Sequence, residues 1–174
     1  MPKGRKSFVV DTNVLITANR RQQESYTCAA ECARALTHVR SEGRLLVDDS
    51  GLFFAEYKRY LNFKGQPGLG DAFFKWLVDH RGRLDLCQEV PITPLSHQWR
   101  LFSQFPDDAH LRGFDPADQK WVAVAVGFRA ACELLQATDH KWIAWHESLV
   151  RNGVHVRFLC ETDLRSVAAR KGAL

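Results

Sequence analysis

The sequence predicts an α/β fold, a three-layer α/β/α sandwich around a central, mainly parallel sheet. Three observations lead there. Short apolar runs alternate with longer segments whose apolar residues recur at helical spacing, which implies strands joined by crossover helices. Two of the apolar runs, "FVV" and "LLQAT", each stop at an acid, Asp11 and Asp139. The chain has 174 residues, 45% hydrophobic and 25% charged, enough for one domain with a core of its own. The whole of 1–174 reads as that single domain, with a core of 7–160 and a polar tail of 161–174.

The elements follow in order. Ser7–Val10 reads as a short buried strand. Residues 24–41 carry Tyr26, Ala29, Ala33, Leu36 and Val39 at helical spacing, and Gly43 stops them. "RLLVDDS" reads as a second strand, with Ser50 as cap of the helix "GLFFAEYKRYLNF". "KGQPGLG" is a loop and "DAFFKWLVDH" a helix. "CQEVPITPL" holds two prolines and is expected to be extended or irregular, "SHQWRLFSQF" to be helical, and "PDDAHLRGFDP" to be a loop. "PADQKWVAVAVGFRAAC" is a helix with Pro116 in its first turn and Asp115 as N-cap. "CELLQAT" is a strand, "HKWIAWHESLVRNG" a helix stopped by Gly153, and "VHVRFL" a last strand. The tail is expected to be short and frayed, with helix as the other option. Crossovers in such a sheet are right-handed.

Composition narrows the function classes. The longest apolar runs fall far short of a membrane span, and the basic N-terminus is followed by Asp11 and Asn13, a poor signal peptide. A soluble, cytoplasmic protein with no membrane partner is expected. Five cysteines at scattered positions, without a CxxC pair, point to reduced thiols and away from zinc. Cys132 and Cys160 read as small core residues. Lys and Arg exceed Asp and Glu by 24 to 20, a net charge of +4 that permits an anionic partner without requiring one. Basic residues recur in pairs, as at Lys3/Arg5/Lys6, Arg20/Arg21, Lys58/Arg59 and Arg81/Arg83.

The acids carry the chemistry. Asp11 and Asp139 each close a strand, and in open α/β sheets ligands bind outside those carboxyl ends. Each could equally cap the turn that follows it. Glu56 falls between Leu52, Phe53 and Tyr60 on the apolar arc of its helix, where a charge is costly unless paired or coordinated. Asp118 lies at the third position of its helix, where free amides and the helix dipole favour a carboxylate, and it leans toward Trp121 and Val122. Four acids ending elements toward one face suit a hard cation, Mg²⁺ or Mn²⁺. Such ions activate water and stabilise the leaving oxygen of a phosphodiester.

With these residues in view, the chain resembles the PIN-domain family of metal-dependent ribonucleases, which includes toxins of bacterial toxin–antitoxin pairs. The resemblance rests on "VVDTNVLI", "FFAEYKRYL", "DPADQKWVAVAV" and "LLQATDHKW", and runs from about Phe8 to Phe158. It implies a PIN-like parallel sheet flanked by helices. It implies catalytic, metal-holding roles for Asp11, Glu56, Asp118 and Asp139, with supporting roles for Thr12 and Asn13 beside the first acid, Asp115 as a secondary acid, and Thr138 before the last acid. It implies Mg²⁺ or Mn²⁺ as cofactor and RNA as substrate, and it allows an antitoxin partner and a homodimer. The sequence departs from many relatives after Asp139, where it reads "HKW"; His140 is expected on the surface. Residues 63–114 match no family detail and are a candidate substrate- or partner-specific surface. Two rivals stand beside this reading. One is a non-catalytic PIN-like module that binds RNA or protein. The other is a haloacid dehalogenase-type phosphatase with Asp11 as nucleophile, whose motif wants an acid where Asn13 stands.

Overall fold

The computed structural model describes residues 4–19 and 25–172; Lys3, Arg20, Arg21 and Glu24 lie outside the described residues. Five strands form one sheet: β1 (Lys6–Val10), β2 (Gly43–Asp48), β3 (Cys87–Val90), β4 (Cys132–Gln136) and β5 (His155–Phe158). Their order is β3-β2-β1-β4-β5, and every pair is parallel. The three central strands are almost wholly buried, as a parallel sheet covered on both faces requires. The expected α/β sandwich is what the chain forms.

Among the described residues seven α-helices flank the sheet: α1 (Thr12–Ala18), α2 (Tyr26–Ser41), α3 (Leu52–Tyr60), α4 (Leu69–His80), α5 (Gln119–Gly127), α6 (Lys141–Arg151) and α7 (Glu161–Arg170). α5 packs across β1, β2 and β4, and α2 packs against α1, α4 and β2. α1 has no counterpart among the expected elements. Its two threonines, valine and isoleucine are indifferent helix formers. Its Asp11 cap and the burial of Val14, Leu15 and Ala18 hold it instead. Gly70 lets α4 approach α1: a Cβ there would lie 2.0 Å from the Leu15 carbonyl oxygen. The Asp71 amide then donates to Asn19 Oδ1 at 3.1 Å.

Several expectations need correction. Residues 96–105 form no helix. His97 has a φ of 58°, an isolated bridge joins Pro94 to Phe102, and Gln119 holds the segment by accepting from the Leu101 amide and donating to the Trp99 carbonyl. Residues 87–90 form a strand and the stretch with the prolines follows it, so here the expected extended or irregular chain is what forms. Ser50 does not cap α3. The N-cap is Gly51 at φ 84°, and Asp48 accepts from the Leu52 and Phe53 amides at 2.7 and 2.8 Å. The tail is helix α7, with Leu164 and Ala168 buried. Cys28 and Cys160 are joined in a disulfide across 132 residues, so neither is a reduced thiol and Cys160 is more than a core filler. The contact is tertiary, which is why cysteine spacing did not announce it. No helix among the described residues is long and apolar enough to cross a membrane.

The strand order sets the site. From β1 the chain builds β2 and β3 to one side, then returns to place β4 and β5 on the other. The direction reverses between β1 and β4, and the crevice in such sheets opens at the carboxyl ends of the strands flanking that reversal. Asp11 follows β1 there, and Asp139 follows β4. α5 leads into β4 and runs antiparallel to it, so its N-terminus, at Asp118, reaches the same edge.

Candidate active site

Asp11 is 5% exposed and is fixed from two sides. As N-cap of α1 it accepts from the Asn13 amide on Oδ1 at 3.0 Å, and Gln136 Nε2 donates to Oδ2 at 3.1 Å. Asn13 Oδ1 in turn accepts from the Ala137 amide at 3.0 Å, stitching the start of α1 to the end of β4. The cap reading of Asp11 holds. Burial raises its carboxyl well above the ordinary range; the charges of Asp118 and Glu56 push the same way, while the Asn13 amide and Lys120 oppose them. Beneath it the Tyr57 hydroxyl donates to the Val10 carbonyl, its own pKa raised by burial and then by Asp11 and Glu56.

Glu56 is half-buried on α3 and turns toward Asp11. Thr12 Oγ1 donates to its Oε1 at 2.7 Å, and Lys120 Nζ lies 2.6 Å from its Oε2. Lys120 also donates to the Ala117 carbonyl and sits over the Trp121 ring at 4.7 Å. Sequence reasoning missed this lysine. The signal was present, since Lys120 shares a helical stripe with Ala123, Val124 and Gly127, and buried lysines are paired.

Asp118 takes a hydrogen bond on Oδ2 from Trp142 Nε1 at 3.2 Å. Its carboxyl is pushed up to about 6 by burial first and then by the charges of Asp139 and Asp115, against the pull of Lys120 and Trp142. Asp115 caps the 3₁₀ turn Pro116–Asp118 by accepting from the Ala117 amide at 3.0 Å, the structural role expected of it, and lies 3.6 Å from Lys141 Nζ. Asp139 is half-buried and accepts from the Lys141 amide at 3.0 Å. Thr138 is half-buried in the turn after β4. His140, expected on the surface, is half-buried and lines the adjoining cleft.

That cleft has a volume of about 560 Å³ and runs from Asp115 and Asp118 along His140, Lys141, Trp142 and Trp145. Phe114 forms its floor, with the Trp142 and Trp145 rings 5.1 and 6.2 Å away. Phe105 and Trp99 continue the aromatic row into the segment 63–114. Of the basic pairs, Arg81 and Arg83 are already bound to Glu89 and Asp85, while Lys58 and Arg59 are exposed on α3.

Asp11 thus feels the charges of Glu56 and Asp118 at the switch point, and Asp118 those of Asp139 and Asp115. Asp48 and Asp71, also buried, are different: backbone amides satisfy both, as caps of α3 and α4. The cleft set offers only hard oxygen donors, and burial first, then the neighbouring acids' charges, keeps Asp11 and Asp118 reluctant to ionise. A divalent cation would relieve both effects and suits oxygen donors, but among the described residues no three of these carboxylates lie within 4.8 Å of one another, so an ion there would have to draw them together. Both Glu56 oxygens are engaged, which leaves Asp11, Asp118 and Asp139 as the acids with the fewest cationic partners. Comparison with family models, curated proteins and solved structures finds no significant match to this chain.

Proposed function

We propose that the chain is a divalent-metal-dependent endoribonuclease, hydrolysing RNA phosphodiesters at the cleft between β1 and β4. One observation carries the reading: Asp11 is a buried carboxyl at the sheet's switch point, and the charges of Asp118 and Glu56 add to burial in raising its pKa. Asp48 and Asp71 each accept two or more backbone amides, whereas among the described residues Asp11 accepts only one and has other acids as neighbours. Mg²⁺ or Mn²⁺, when bound, supplies an activated water and offsets charge on the leaving oxygen. The protein's part is positioning. Asn13 and Gln136 hold the Asp11 carboxylate, Trp142 holds Asp118, Thr12 and Lys120 hold Glu56, and the Lys141 amide holds Asp139. Lys141 and the exposed faces of His140 and Trp145 suit a phosphate and a base of a single strand. The resemblance adds a 5′-phosphate product and the narrower reading of a toxin, which an antitoxin gene beside its own would favour.

The test is cleavage of a labelled single-stranded RNA with Mn²⁺, with excess chelator, and with Asp11→Asn. Metal-dependent cuts carrying 5′-phosphate ends, absent in the variant, support the proposal. Equal cutting in chelator would contradict it. Release of phosphate from a small phosphomonoester would favour the phosphatase instead. One observation favours the non-catalytic module: Lys120 already supplies a cation inside the acidic group. Retention of RNA without cleavage at any metal concentration would establish that reading.

A further inference from the structure

Away from the acidic cleft, three cysteines meet where α7 joins α2. Cys28 and Cys32 are one turn apart on α2, and Cys160 is the N-cap of α7. All three are buried, and their sulfurs lie within 4.8 Å of one another. Among the described residues no other three ligating side chains come so close. Cys28 and Cys160 form the disulfide, while Cys32 Sγ stands 3.8 Å from Cys160 Sγ.

We propose that these three residues form a site for a soft divalent cation of the Zn²⁺ class in the reduced chain, in competition with the Cys28–Cys160 disulfide. The spacing carries the argument. Two thiolates on a tetrahedral zinc ion, each about 2.3 Å from the metal, are separated by about 3.8 Å. Cys32 and Cys160 already have that separation. Cys28 and Cys32 share one face of a helix at i, i+4, the spacing by which helical metal sites present two ligands together. Only Cys28 and Cys160 must part, by rotation of side chains already in contact.

The fourth position has a place to come from. A cleft of about 510 Å³ opens on Cys28 and Cys160, walled by Glu31, Asp163 and Ser25, and admits a solvent ligand. A dithiol reductant opens the bond: its thiolate attacks one sulfur and then resolves the mixed disulfide, two electrons and two protons go to Cys28 and Cys160, and the reductant leaves as its own disulfide. The cation then displaces the thiol protons. α7 is held to α2 by sulfur in both states, covalently when oxidised and through the ion when reduced.

The probe is Co²⁺, added to the full chain after phosphine reduction and removal of the reductant, with a thiol count of five confirming reduction. The expected result is one Co²⁺ per chain with thiolate-to-cobalt absorption in the near ultraviolet, displaced by Zn²⁺. The oxidised chain, which keeps only one of the three sulfurs as a thiol, gives no such absorption. Cys32→Ser loses it in the reduced chain. Asp11→Asn keeps it, because the acidic cleft offers cobalt only oxygen, so this outcome is independent of the nuclease proposal. Absence of the absorption in the reduced, folded chain overturns the inference. So does equal absorption in oxidised and reduced chains, a comparison that needs no variant to fold.

Discussion

Lys120 Nζ lies 2.6 Å from Glu56 Oε2 while Thr12 Oγ1 donates to the other oxygen of the same carboxylate. The ammonium is the one cation that α5 brings into the acidic group, and it offsets charge on Glu56, Asp11 and Asp118 together. Lys120→Gln should therefore cost more than Glu56→Gln. The first leaves several acids without their counter-ion; the second leaves the lysine facing Asp11. For a pair between fully buried and exposed, Lys120→Gln should cost about 1–3 kcal/mol, measured by denaturant unfolding without metal. An equal or larger loss in Glu56→Gln would show that Lys120 serves Glu56 alone.

Asp11 separates two roles by choice of substitution. Asparagine keeps an oxygen for the Asn13 amide and ranks beside aspartate as a cap, so Asp11→Asn should leave the metal-free chain as stable as wild type or more so. Both substitutions take away the oxygen that accepts from Gln136; alanine removes the cap as well, and should lose about 1–2 kcal/mol more than asparagine. Thermal melts of the two variants without metal check this. Equal, severe losses would mean that the charge itself is structural.

The pH dependence follows from Asp118. Its folded pKa is raised to about 6 by burial and by Asp139 and Asp115, so the folded chain holds this proton more tightly than the unfolded one. Stability from this group is present below the unfolded value and is lost as pH rises through about 6. Between about pH 4 and 7 the metal-free wild type should lose stability relative to Asp118→Asn, by on the order of 1–3 kcal/mol. Paired unfolding curves at the two ends of that window test it, and a difference that does not change with pH would remove Asp118 from the repelling group.

The Cys28–Cys160 bond closes most of the chain into one loop. Its reduction in chelator should lower stability by about 5 kcal/mol in the chain-entropy account. Proteolysis should begin in α7, whose attachment otherwise rests on Leu164, Ala168 and the hydrogen bonds from Ser25 to Asp163. Unchanged melting after reduction would show that these contacts suffice.

Much of this was legible in the sequence because period and position are local. The run Phe8–Val10 and its stop at Asp11 announce a buried strand and a carboxyl-end acid; the arc drawn around Glu56 is only part right, since Phe53 is buried but Leu52 and Tyr60 are exposed. What escaped depends on contacts between distant residues. Gln136 looks like an ordinary strand residue until β4 lies beside β1, and Cys160 looks like core until α7 folds back on α2. Lys120 lay hidden behind Asp118, since a basic residue after an acidic one reads as surface. Residues 96–105 misled because Trp99, Phe102 and Phe105 imitate helical spacing, while in the fold Trp99 and Phe105 join the aromatic row that runs to Phe114. The short α1 was missed because capping and burial sustain it, where propensity alone would not.

The account turns on whether the acidic cleft holds a divalent cation. The most direct measurement is Mn²⁺ binding, followed by electron paramagnetic resonance of the free ion, for wild type, Asp11→Asn and Asp118→Asn. The account predicts that wild type binds Mn²⁺, that each variant binds it at least tenfold more weakly, and that Asp85→Asn, whose carboxylate pairs with Arg83 on the surface, is unchanged. Wild type that leaves Mn²⁺ free, or variants that bind it as tightly as wild type, would contradict the claim.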